Sequence, residues 1–141
     1  MGDGGSVLVV GASRGIGLEL VRQYAADGWS VHATTRSPQE PGALAAIEGA
    51  VQIHSLDVRD RNQTAALIDS LPEHGLSVAI HNAGIYRGHT REEMMEINGK
   101  APLVVAQGLI DRNRLARNGK LILMTSQMGA RRGRSGSLGD Y

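Results

Sequence analysis

Three glycines within seven residues are the first feature of this sequence with chemistry in it. Gly11-Ala12-Ser13-Arg14-Gly15-Ile16-Gly17 follows a short aliphatic run, Val7-Leu8-Val9-Val10, and opens a helical pattern. Glycines in a strand–turn–helix junction allow a tight turn, close backbone approach to a phosphate, and close packing of helix on strand. The helix N-terminus beside them offers free N–H groups to an anion such as pyrophosphate. The spacing is G-x-x-x-G-x-G rather than G-x-G-x-x-G, and no Gly-Lys-Ser/Thr follows, so this is not a P-loop. Other chemistries drop out by inspection. Cysteine is absent, which removes thiolate metal sites, cysteine nucleophiles and disulfides. The five histidines show no close ligand spacing such as i, i+4, so no metal is assigned.

The elements that must position this turn follow from the pattern of apolar residues. Val7–Val10 reads as a buried strand. Ile16, Leu20 and Tyr24, with Val21 and Ala25, make one apolar helix face, ended by Asp27-Gly28. Trp29 to Thr35 reads as a second strand, and Ser37-Pro38 as the cap and first turn of a short helix. Val51 to Leu56 is a third strand. Asp60 with Gln63 resembles a capping pair for a helix carrying Ala65, Leu67, Ile68 and Leu71. Leu76 to His81 is a fourth strand. Thr90 and Glu93 form a capping-box pattern before a helical stretch that is expected to reach about Arg117, and Lys120 to Thr125 is a fifth strand. The order βαβαβαβαβ implies a doubly wound parallel sheet with helices on both faces, one α/β domain over residues 1–141.

Composition agrees. The chain has 141 residues, 41% hydrophobic and 21% charged, which excludes a disordered or collagen-like protein. Lys+Arg 15 against Asp+Glu 14 is too balanced to point to nucleic acid or a membrane surface. Gly129-Ala130-Arg131-Arg132-Gly133-Arg134 lacks the interleaved aromatics of a nucleic-acid tail and reads as a loop over the carboxyl edge of the sheet. No apolar run approaches the ~20 residues of a transmembrane helix. The N-terminus lacks the pattern of a signal peptide, so the expected location is the cytoplasm. With Phe 0 and Trp 1 the core must be built from aliphatic side chains, as parallel sheets commonly are.

The glycine turn and five features further along the chain resemble those of the short-chain dehydrogenase/reductase family, in the compact subtype with G-x-x-x-G-x-G spacing. Gly11, Gly15 and Gly17 match its glycine turn. Asp57-Val58 looks like the pair whose aspartate contacts the adenine amino group. Asn82-Ala83-Gly84 resembles the Asn-Asn-Ala-Gly motif, with His81 in place of the first asparagine. Asn98 resembles the structural and proton-relay asparagine of the long helix. Thr125-Ser126-Gln127 resembles the strand end that carries the catalytic serine, and Tyr141 is placed as the catalytic tyrosine. The resemblance implies a Rossmann-like fold of which five strands are present and the family's last two are missing.

It also implies an oxidoreductase that transfers hydride between a nicotinamide cofactor and a carbonyl or alcohol substrate, working as a homo-oligomer. Ser13, Arg14, Ile16, Asp57, Val58, Asn82, Ala83 and Gly84 join the glycines in the expected cofactor site. An acid ending the second strand would bind the adenosine ribose and repel a 2′-phosphate. Here that strand ends Ala33-Thr34-Thr35-Arg36, without an acid, and Arg36 with Arg14 can clamp a phosphate. NADP is therefore expected over NAD. By resemblance Tyr141 is the acid/base, Ser126 orients the substrate and Asn98 supports the relay. The family's lysine, four residues after the tyrosine, would fall beyond Tyr141, so the 141 residues alone are expected to turn over negligibly as part of a longer enzyme. Its fifth strand would then be an open edge, prone to aggregation or to strand exchange between chains. A non-catalytic dinucleotide-binding module is the alternative, and the Tyr-x-x-x-Lys segment discriminates the two.

Overall fold

The computed structural model describes residues 4–37, 42–83 and 90–124. Five strands, β1 (Ser6–Val10), β2 (Ser30–Thr35), β3 (Val51–Ser55), β4 (Leu76–His81) and β5 (Leu115–Leu123), form one parallel sheet in the order β3-β2-β1-β4-β5. Its helices are α1 (Gly15–Ala26), α2 (Arg61–Ser70), α3 (Arg91–Met95) and α4 (Ala101–Asp111), with a π-helical turn over Glu96–Lys100 joining the last two. A single turn of 3₁₀-helix, Gly42–Ala46, connects β2 to β3. Residues 38–41, where a helix after Ser37-Pro38 is expected, lie outside the described residues.

Strand side chains alternate between two aliphatic layers. Val7, Val9, Val31 and Ala33 pack with Val21 and Ala25 of α1 on one face. Leu8, Val10 and Ala79 pack with Leu67 and Ile68 of α2 and Val105 and Leu109 of α4 on the other. The central strands are thus buried on both faces, which is why they read as continuous aliphatic runs.

Two boundaries depart from the expectation. The helix expected to reach about Arg117 ends at Asp111, because Asn113 takes a left-handed φ of 56° and the Arg114 N–H closes back on the Leu109 carbonyl at 2.9 Å. β5 starts five residues before Lys120. Its first part was hidden by Arg117 and Asn118 and by an irregularity: Leu76 pairs with Leu115 while Val78 pairs with Lys120, so the extra residues bulge out. At the α2 N-terminus Asp60 does cap, accepting from the Asn62 and Gln63 N–H groups at 2.9 and 3.1 Å. Gln63, however, accepts from the Asp57 N–H at 2.7 Å instead of from Asp60. The Thr90–Glu93 capping box is formed as its spacing suggests.

Candidate functional site

The sheet order reverses between β1 and β4, and parallel sheets bind ligands in the crevice beyond the carboxyl ends of the strands at such a point. A cleft of about 610 Å³ opens there. Its walls come from the glycine turn after β1 and the start of α1, Thr34 to Ser37 at the end of β2, Leu56 to Val58 after β3, Asn82 and Ala83 after β4, and Ile97 of the π turn.

The glycine turn is shaped by sterics that can be read atom by atom. Gly11 has φ 86°, a conformation L side chains rarely adopt, and a Cβ on it would stand 2.8 Å from the backbone of Ala83. Gly17 is buried against the turn, where a Cβ would lie 2.0 Å from the Gly11 carbonyl oxygen. Asn82 locks the same corner, its side-chain amide donating to that carbonyl at 3.1 Å and its N–H to the Val10 carbonyl at 2.9 Å. Thr34 closes the other side: its hydroxyl accepts from the Gly11 N–H at 3.0 Å, and its carbonyl accepts from the Ala12 N–H at 2.9 Å. The result is a rigid turn that presents α1 end-on to the cleft. Arg14, the N-cap, makes no side-chain capping bond and α1 has no acid in its first turn, so its amino end is positively polarised toward the cleft.

Electrostatics divide the cleft. Arg14 and Arg36 are exposed on its walls, from the glycine turn and from the end of β2. Asp57 faces them. Its carboxyl is held below the usual carboxylate range, first by the Arg59 side chain that bonds it, with Arg36 adding a smaller attraction. Because Asp57 is ion-paired at 2.9 Å, it sets no uncompensated negative charge against an anion at Arg36.

At the far side, α3, the π turn and α4 run on as one helical path. Pro102 has no N–H to offer the carbonyl four residues back, Asn98's, and the helix widens just before it, the Ala101 N–H bonding Glu96 five residues back. Asn98 is half-buried in this turn. It does not line the cleft, whereas its neighbour Ile97 does. Arg61 pairs with Glu96, and Arg59 lies 3.6 Å from Glu93, tying this helix to the turn after β3. No steric reason for glycine exists at Gly99, where a Cβ would meet nothing.

Of the residues expected at the cofactor, Gly11, Ser13, Arg14, Gly15, Ile16, Arg36, Asp57, Val58, Asn82 and Ala83 meet in this one cleft, and Gly17 lies behind its wall. Gly84, Ser126 and Tyr141 lie outside the described residues, as does the Arg131–Arg134 stretch. Thr34, Thr35, Ser37, Leu56 and Ile97 also line the cleft, beyond the residues that the sequence motifs point to. The signal for Thr34 was available: two hydroxyl side chains, Thr34 and Thr35, close the second strand at its carboxyl end. Among the described residues no cluster of three or more His, Asp or Glu is set to hold a metal ion, and no helix is long and apolar enough to cross a membrane.

The sequence model of the short chain dehydrogenase family matches residues 6–138. The chain belongs to that family. Galactitol 2-dehydrogenase of Agrobacterium fabrum is 35% identical over 139 aligned residues, which cover 88% of this chain and 53% of that one. Human 17-beta-hydroxysteroid dehydrogenase type 1 is 36% identical over 89 residues, 56% of this chain and 27% of its own. A carbonyl reductase from Pseudomonas aeruginosa superposes with a TM-score of 0.80 at 31% identity, covering 92% of this chain and 65% of that one. A short-chain dehydrogenase/reductase from Burkholderia multivorans, solved with bound NADP, has the same fold at a TM-score of 0.80 and 24% identity, over 91% of this chain and 61% of that one. The chain thus spans about half the length of the galactitol dehydrogenase and under two thirds of these solved structures. The oxidoreductase family and the Rossmann-like parallel sheet follow from sequence and fold together.

Proposed function

We propose that this short-chain dehydrogenase binds NADP(H) and serves the transfer of hydride between it and a small carbonyl or alcohol compound, in the cytoplasm and as a homo-oligomer. The observation that carries the reading is the cleft at the sheet's switch point, walled by the glycine turn, two arginines and Asp57. NADPH, when bound, supplies the hydride. The chain's own residues bind and orient it. The N–H groups opening α1 receive the pyrophosphate, where the helix dipole favours negative charge. Arg14 and Arg36 receive the 2′-phosphate through charge-assisted bonds, and the absence of an acid at the end of β2 leaves nothing to repel it. Asp57 accepts from the adenine amino group, Val58, Asn82 and Ala83 form the adjoining wall, and Gly84 is assigned to the same cofactor-binding set. Tyr141 carries the proton to or from the substrate oxygen, Ser126 holds that oxygen, and Asn98 anchors the water through which the proton is relayed. A free tyrosine has a pKa of ~10, so Tyr141 needs positive charge near it to act near neutrality.

Fluorescence or calorimetric titration with NADPH and NADH tests the cofactor assignment. NADPH should bind at least about tenfold more tightly, and Arg36→Ala should erase most of that preference. Equal affinities in the unaltered protein defeat the NADP assignment. Consumption of NADPH against a panel of carbonyl compounds by a protein that carries this chain together with a lysine four residues after Tyr141, lost in Tyr141→Phe, tests the chemistry.

A further inference from the structure

Arg59 stands outside the cleft wall, yet most of its bonding is directed at a residue inside it. Its backbone N–H donates to Asp57 Oδ1 at 3.0 Å, its Nε to the same oxygen at 3.1 Å, and its Nη2 to Oδ2 at 2.9 Å. The two side-chain bonds form the planar fork that guanidinium and carboxylate make best. The other end of the guanidinium is braced, with Nη1 3.6 Å from Glu93 Oε2, and Glu93 is itself fixed by the capping box with Thr90. Asp57 is pinned through its backbone too, its N–H donating to Gln63. Neither the carboxylate nor its plane is free to turn.

A carboxylate has about four acceptor directions and no proton to give when ionised. Arg59 uses two at Oδ1 and one at Oδ2, which leaves one on Oδ2 for a ligand in the cleft that Asp57 lines. Only a hydrogen-bond donor satisfies it. A carbonyl brought to the same place would set acceptor against acceptor and leave both desolvated.

We propose that Arg59 is a specificity-determining positioning residue: by clamping Asp57 in one plane it makes the cleft accept a nucleobase with an exocyclic amino group and reject one with a carbonyl in its place. This rests on the dinucleotide-binding reading above. The lowered pKa of Asp57, caused chiefly by Arg59, agrees with an acceptor-only carboxylate.

The test is calorimetric titration of the full chain with NADP and with its hypoxanthine analogue, in which a carbonyl replaces the adenine amino group. The unaltered protein should prefer NADP by about tenfold or more, the size expected of one charge-assisted hydrogen bond. Arg59→Gln should bring the ratio to within about threefold while NADP itself still binds. Arg59→Lys, which keeps the charge without the planar fork, should fall between the two. A ratio unchanged in Arg59→Gln, including a parallel loss for both nucleotides, overturns the proposal. So does an unaltered protein that binds NADP without discriminating, and the dinucleotide reading then survives. Failure of the unaltered protein to bind either nucleotide removes that reading and the proposal together.

Discussion

Replacing His81 with leucine should relieve this protein of much of its sensitivity to mild acid. His81 ends β4, between Val10 of β1 and Leu123 of β5, and is only 5% exposed. Its ring borders a small space lined by Leu8, Val10, Pro102, Val105 and Leu123. Among the described residues neither ring nitrogen has a hydrogen-bond partner. Burial therefore disfavours the charged form, and the nearby Ala83 backbone offsets this only in part, so the pKa falls from 6.5 to about 4. In the unfolded chain the same imidazole takes up its proton near pH 6.5. Stability from this group is thus complete above that pH and is lost as pH falls from 6.5 toward 4, since only the unfolded state gains the proton. At about 1.4 kcal/mol per pKa unit the full loss is about 3 kcal/mol, and at about pH 5 it is already about 2 kcal/mol. That is a large share of the 5–15 kcal/mol typical of a domain. Urea unfolding of both proteins at about pH 8 and about pH 5 isolates the effect, because every other titrating group is common to the two. The unaltered protein should lose about 2 kcal/mol more than His81→Leu between those conditions. Equal losses would refute the reasoning, as would an NMR titration placing the His81 pKa above 6.

Gly17→Ala should cost about 3 kcal/mol and abolish dinucleotide binding, because its Cβ would sit 2.0 Å from a backbone oxygen that has no room to retreat; a denaturant midpoint within error of the parent would count against the packing described. Asp60→Ala removes the oxygen that caps α2 and should lower stability by about 1 kcal/mol in the same assay. His32 Nδ1 and His54 Nε2 face each other at 2.9 Å across β2 and β3, and burial lowers the pKa of both. Both rings should therefore titrate below 6.5 by NMR, and His32→Gln should raise the His54 pKa toward its ordinary value by removing the neighbouring imidazole. An unmoved His54 titration would show that burial alone sets it.

How much of the site could be read in advance depends on whether a residue acts through local chain geometry or through a partner far away in sequence. The glycine turn is local: its strand, its three glycines and the helix that follows are contiguous, so one stretch of chain announces the whole device. Arg59 shows the opposite case. In the sequence it is one more arginine after Asp57-Val58, and nothing there says that its guanidinium folds back on Asp57 and reaches Glu93. Thr34 supports Gly11 across 23 positions, and Asn82 reaches the same glycine across 71. The start of β5 is not legible in the sequence, because polarity at Arg117 and Asn118 masks a strand whose pairing is broken by a bulge.

By itself the sequence determined the alternation of strand and helix, the parallel two-faced sheet and the glycine turn between β1 and α1. These rest on short-range causes: the period of apolar residues, the glycines that a turn demands, and caps such as Asp60 and Thr90. Only the tertiary structure decided the strand order β3-β2-β1-β4-β5, and with it the cleft where residues from Gly11 to Ile97 meet. It decided too that His81 is sealed among aliphatic side chains and that the helix opens into a π turn at Asn98. Pairing and burial are properties of segments distant along the chain, and their energies exist only once those segments are in contact.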